Sequence, residues 1–260
     1  MEEYDSLSAG PSSHGVLDLT HSAWSSLPSL LFTFSERLLS LDLSHNKLVE
    51  VEADMGKLHL LSSLNLTGNM VVRVHPDLGK CIRLKTLVLD NNRISELPQE
   101  IGRCTLLEEL SAADNFIETL PSSIGNIVAL RIVRLQNNKL KSLPPELARI
   151  PTIQEVHCEG NPELEMVPDD MRGSSDMVIW ALRLHRTHQE KVQAKVAEYD
   201  RLEEGARESE EVRLRLKDER DEVAGDVREL EESRPVAFIA LKAKWVKMGA
   251  KVGASKCSVM

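Results

Sequence analysis

Residues 84–92 read Leu84-Lys85-Thr86-Leu87-Val88-Leu89-Asp90-Asn91-Asn92, with leucine at the first, fourth and sixth places and asparagine at the ninth. The same frame, L-x-x-L-x-L-x-x-N, returns at 38–46 (LLSLDLSHN), 61–69, 107–115, 130–138 and 153–161. Asn46, Asn69, Asn92, Asn115, Asn138 and Asn161 therefore fall 23 residues apart, in five equal steps. Departures are conservative: Ala112, Val133, Ile153, Val156 and Cys158 stand where leucine is the rule. A degenerate earlier copy runs through Leu17, Leu19 and Ser22, 24 residues before Asn46.

Alternating pairs such as Leu41/Leu43, Leu64/Leu66 and Leu87/Leu89 predict short strands with one buried face, because side chains alternate across a strand. Two apolar positions per strand make no core alone. Stacking the copies into one parallel sheet lets each strand pack on the next, and stability then comes from neighbour interfaces. Asparagine suits the closing position, since its amide both donates and accepts and can satisfy buried backbone groups at a turn.

The second half of each unit repeats as well. Apolar residues recur two, five, nine and twelve positions after the asparagine, as in Ile94, Leu97, Ile101 and Cys104. Pro98, Pro121 and Pro144 sit six positions after it, and Gly56, Gly79, Gly102 and Gly125 ten. Proline presets φ for a turn or the start of a short helix, and glycine is expected to relieve a tight reversal. This frame makes Cys81, Cys104 and Cys158 small buried hydrophobes rather than ligands or nucleophiles.

These motifs, with stretches such as LPQEIGRC and LPSSIGNI, resemble the intracellular leucine-rich repeats of the 23-residue class that includes Ras-group and plant relatives. The resemblance covers roughly 14–185. It implies an α/β solenoid, a horseshoe with a parallel concave sheet and short helical segments on the convex side. A concave face would present the residues four and two places before each asparagine. These are Asp42 and Ser44, Asn65 and Thr67, Val88 and Asp90, Ser111 and Ala113, Arg134 and Gln136, His157 and Glu159, with Asp18 and Thr20 extending the row. Such a face is where a protein partner is expected.

Composition narrows the functional class. The net charge is −9, and only 3% of residues are aromatic. Nucleic acid is not expected as a partner, because phosphate binding needs clustered Lys and Arg. The opening MEEYDSLSAGPSS lacks the basic and apolar regions of a signal peptide, and residues 1–13 are expected to be disordered. No catalytic constellation, metal set or cofactor motif stands out, so the chain is expected to be no enzyme. His185 and His188 share a helical face without a third ligand at suitable spacing.

After the repeats, Ser174 or Ser175 offers an N-cap, and Met177, Trp180, Ala181 and Leu184 form a stripe expected to cover the open end of the last repeat. Residues 186–233 are rich in charged helix formers and predict a long helix with a broken heptad seam. A homodimer through this segment is an alternative that the polar seam residues disfavour.

Residues 234–260 carry six basic groups and no acidic one. Phe238, Leu241, Trp245, Met248 and Val252 form one apolar stripe, among Lys242, Lys244, Lys247, Lys251 and Lys256. Such a basic amphipathic stretch reads as a membrane-surface element or a calmodulin-type target. The terminal Cys257-Ser258-Val259-Met260 fits a C-a-a-X box, with Met260 favouring farnesyl and Ser258 departing from an aliphatic first position. One prenyl chain anchors only marginally, and the lysines supply the second signal that stable anchoring needs.

Two functions follow as expectations. The first is a cytoplasmic interaction scaffold or signalling adaptor, peripheral at the cytosolic face of a membrane. Its Ras-group resemblance implies a small GTPase or phosphatase partner. The second is a soluble assembly component that self-associates through 186–233 and offers its tail to a protein such as calmodulin.

Overall fold

The computed structural model describes Leu7, residues 9–168 and residues 172–205, with side chains as far as residue 198. The rest of the charged segment, the stripe from Phe238 to Val252 with its lysines, and the Cys257 box lie outside the described residues. The chain divides into two compact units, Met1–Leu182 and Arg183–Met260.

The first unit is a leucine-rich-repeat solenoid. Seven strands form one parallel sheet in the order β1 (Val16–Asp18), β2 (Ser40–Asp42), β4 (Ser63–Asn65), β6 (Thr86–Val88), β7 (Glu109–Ser111), β8 (Ile132–Arg134) and β9 (Glu155–His157). Registers are equivalent throughout, so Leu41 faces Leu64, Leu64 faces Leu87 and Leu87 faces Leu110. These leucines and Leu43, Leu66 and Leu89 are at most 1% exposed, as the period-two pattern requires. Full burial of each such side chain contributes roughly 1.5–3 kcal/mol.

Each asparagine stitches two repeats together. Asn92 Oδ1 accepts from Val71 N–H at 2.9 Å, and its Nδ2 donates to the carbonyls of Leu66 and Leu89, both at 2.9 Å. The pattern holds from Asn46 to Asn161, and none of these residues exceeds 8% exposure. The residue just before each ladder position is His21, His45, Gly68, Asn91, Asp114, Asn137 or Gly160, and all seven have φ between 53 and 71°. Histidine, asparagine, aspartate and glycine are the types that occupy this left-handed region most readily.

Opposite the strands, short 3₁₀ turns at Ala53–Lys57, Pro76–Lys80, Gln99–Arg103, Ser122–Asn126 and Pro145–Arg149 stack in line. The recurrent glycines lie in these turns, outside the left-handed region, which corrects the role in a tight reversal expected for them. A Cβ on Gly102 would stand 2.4 Å from the Ser123 carbonyl oxygen, so glycine is required for the approach of the next repeat. A second ladder pairs β3 (Glu50–Val51) with β5 (Arg73–Val74), and His75 N–H continues it to the Val51 carbonyl at 3.0 Å. The equivalent positions in the next repeats are Pro98, Pro121 and Pro144, which have no N–H to give.

Both ends of the solenoid add contacts that the repeat pattern does not contain. Within the segment expected to be disordered, Leu7 is fully buried, Arg37 Nη2 donates to the Pro11 carbonyl at 3.1 Å, and Gly10 lies against the Phe34 ring. At the other end, helix α1 (Ser175–Gly205) begins by burying Met177, Val178, Ile179, Ala181 and Leu182. Trp180 and Leu184 are only half-buried. Ser175 Oγ closes the last strand, accepting from Val156 N–H at 3.1 Å and donating to its carbonyl at 3.3 Å. The buried Arg172 guanidinium donates to the carbonyls of Val167 at 2.8 Å, Asn161 at 2.5 Å and Leu164.

In the second unit α1 is a charged helix with side chains paired along its own surface, Arg186 with Glu190 at 3.1 Å and Lys195 with Glu198 at 3.2 Å. Among the described residues no helix is long and apolar enough to cross a membrane.

Candidate interaction face

Because the strands share one register, residues at equivalent places form straight rows about 4.8 Å apart across the sheet. The row four places before each asparagine holds Asp18, Asp42, Asn65, Val88, Ser111, Arg134 and His157. Two places before it stand Thr20, Ser44, Thr67, Asp90, Ala113, Gln136 and Glu159. Most of these residues are partly exposed, but Ser44 and Ser111 are covered, at 6% and 2%. Ser111 is covered because its Oγ turns aside to donate to Asp90 Oδ1 at 2.7 Å.

A third row was not anticipated. Ser40, Ser63, Thr86, Glu109, Ile132 and Glu155, six places before each asparagine, open the strands on the same side, and Val16 extends them. Alternation continues one step upstream of the leucine pair, and that signal was present in the sequence.

Local hydrogen bonds explain much of the polarity at one end. Thr20 N–H donates to Asp18 Oδ1 at 3.0 Å, Ser44 N–H to Asp42 Oδ1 at 2.8 Å, and Thr67 N–H to Asn65 Oδ1 at 3.0 Å. This is one side-chain turn repeated on three strands. The bond from Thr20 N–H also holds the Asp18 carboxyl below the usual carboxylate range. Asn65 Nδ2 then crosses to Asp42 Oδ2 at 3.0 Å. Val88 breaks the series, and in the following turn Asp90 Oδ1 accepts from Ala113 N–H at 2.8 Å.

At the other end Arg134 pairs with Glu109. His157 stands between two glutamates, with Nε2 at 3.2 Å from Glu155 and Nδ1 at 3.8 Å from Glu159. Beside it Gln136 Oε1 and Glu159 Oε2 are shut off from solvent without a hydrogen-bond partner. Along the rim, His21 and His45 stack at 4.6 Å, and Asn137 Nδ2 donates to Asp114 Oδ1 at 2.9 Å.

Cys81, Cys104 and Cys158 are fully buried, and burial pushes their thiols up to about 12, 11 and 12, away from the reactive thiolate. His185 faces Gln189, with Nε2 atoms 3.0 Å apart. Among the described residues there is no group of three or more His, Cys, Asp or Glu placed to hold a metal.

Comparison with known proteins agrees with this architecture. Residues 94–201 match the family described as the leucine-rich-repeat part of leucine-rich repeat and WD repeat-containing protein 1, and residues 83–104 match the general leucine-rich repeat. The leucine-rich repeat domain of the type III effector XopL is 22% identical, with a TM-score of 0.54, over 58% of this chain and 54% of its own. A leucine-rich-repeat protein of Leptospira interrogans is 22% identical, with a TM-score of 0.46, over 59% of this chain and 50% of its own. The Arabidopsis receptor kinase HAESA, solved with the peptide hormone IDA and a co-receptor, is 27% identical, with a TM-score of 0.49, over 57% of this chain and 28% of its own. This chain thus spans little more than half, or less, of the length of these solved chains. Among curated proteins nothing matches it significantly.

Proposed function

We propose that this leucine-rich-repeat protein is a non-enzymatic interaction scaffold whose strand face holds a protein partner and whose tail holds the chain at the cytosolic face of a membrane. One observation carries the binding half. Seven strands in one register present three rows of side chains that change from repeat to repeat, while the framework beneath them does not. The partner is a signalling protein, and a small GTPase or phosphatase is the class that the Ras-group resemblance favours. That step is analogy of sequence class.

The anchoring half rests on the C-a-a-X pattern of Cys257-Ser258-Val259-Met260 and on the lysines before it. Farnesyl at Cys257 and basic residues at an anionic surface, each contributing about 1 kcal/mol, act as the two signals.

Each half has its own test. Val88→Trp places a bulky neutral side chain in the middle of the strand face and is expected to abolish capture of the partner while the urea midpoint stays in place. Retention of the partner would contradict the binding half. Cys257→Ser is expected to move the chain from the membrane fraction of a eukaryotic cell to the soluble one, with loss of the prenyl mass from the C-terminal peptide. Unchanged membrane association would contradict the anchor.

A further inference from the structure

We infer that the strand face takes a cationic polypeptide segment laid across the strands, with positive side chains at both ends of the sheet and small or apolar ones between. This rests on the reading of that face as the binding surface.

Its three rows carry six carboxylates, Asp18, Asp42, Asp90, Glu109, Glu155 and Glu159, against one guanidinium, Arg134, which Glu109 already neutralises. Charge is concentrated at the two ends. Asp18 and Asp42 stand directly in register on neighbouring strands, which concentrates negative charge at this end of the face. The turn does not require the charge there. Asn65, the next residue in the row, makes the same side-chain turn with a neutral amide.

At the far end Glu155 and Glu159 flank His157. Both glutamate side chains remain open to solvent there, 48% and 42% exposed, so a Lys or Arg side chain can reach them. Between the ends lie Thr67, Val88, Ser111 and Ala113, which are uncharged. Asp90 carries the remaining mid-face charge, with Oδ1 already accepting two bonds. From β2 to β9 there are five strand steps, roughly 24 Å at ~4.8 Å per step, which an extended chain crosses in about seven residues. A negative face also repels nucleic-acid phosphates and anionic lipid, which leaves polypeptide as the class.

The probe is a fluorescent decapeptide with paired arginines at both ends and alternating Ala and Ser between, titrated with the full chain. The controls are the same peptide with glutamate ends and one with all four arginines at one end. The two-ended basic peptide is expected to bind most tightly and to weaken with salt. Asp18→Asn with Asp42→Asn is expected to lower its affinity about tenfold, and Glu155→Gln with Glu159→Gln about tenfold again. Asn65 as a natural precedent predicts that the first pair keeps the turn and that the chain still unfolds cooperatively in urea, at a slightly lower midpoint because Asn65 Nδ2 loses Asp42 Oδ2.

Absence of binding by the two-ended peptide, equal binding of the glutamate-ended one, or no loss in either double variant would overturn the inference. The binding-face reading is judged separately. A partner that is lost on Val88→Trp but makes contact through a neutral or acidic segment would preserve that reading and overturn this one.

Discussion

Two sets of polar residues ride on the same 23-residue frame and differ in almost every other respect. The asparagine column repeats one residue six times, is nearly closed to solvent, and spends its amides on backbone groups of its own and the preceding repeat. The strand-face rows hold Asp, Asn, Val, Ser, Arg and His in one line, and their bonds are mostly to neighbouring side chains and turn N–H groups. Polar residues that serve the fold are pinned by the need to satisfy buried backbone. Those on the face are free to vary, which is the freedom that the proposed recognition surface needs.

The comparison breaks first at the column. Asn92→Ala strands Val71 N–H and withdraws the donor from the Leu66 and Leu89 carbonyls. A loss of about 3 kcal/mol is expected from urea unfolding, since each unsatisfied buried group costs roughly 1–3 kcal/mol. A loss below about 1 kcal/mol would mean that the column is decoration. Gly102→Ala comes next, because its methyl meets the Ser123 carbonyl oxygen in the stacked turn. Overpacking of this kind costs about 2 kcal/mol, read from the same unfolding curve.

Ser175→Ala sharpens the account of the last strand, where one hydroxyl serves both the N–H and the carbonyl of Val156. Its removal is expected to lower stability by about 1 kcal/mol and to speed amide exchange at Val156. The smallest effect belongs to the face. Asp18→Asn with Asp42→Asn is expected to lower stability by less than about 1 kcal/mol, because the turn bonds survive while Asn65 Nδ2 loses its acceptor, Asp42 Oδ2. A marked loss of stability there would place these aspartates with the framework.

Much of this was legible in the sequence, because a repeat converts local pattern into global register. The leucine alternation, the asparagine column and the core places of Cys81, Cys104 and Cys158 all appear as read. What escaped reading depends on contacts that do not repeat. The third outward row beginning at Ser40 was missed by stopping the alternation at the leucine pair. The glycines were given a turn's role, whereas a neighbouring carbonyl defines theirs, and no single unit contains that neighbour. The ends were hardest. Leu7 and Arg172 are buried at the two ends, and α1 adds Val178 and Leu182 to the expected Met177 and Ala181 while Trp180 and Leu184 stay half-buried. A terminal contact has no second copy in the chain to betray it.

The central claim, that recognition belongs to the strand face, is tested most directly by site-specific photo-crosslinking in the full chain. A compact aliphatic diazirine residue, close to valine in size, at Val88 in the middle of that face is compared with the same residue at Ile82, an exposed apolar position beyond the Pro76–Lys80 turn. The account predicts a discrete partner adduct from position 88 and none from position 82. The same adduct from both positions, or from position 82 alone, would contradict it.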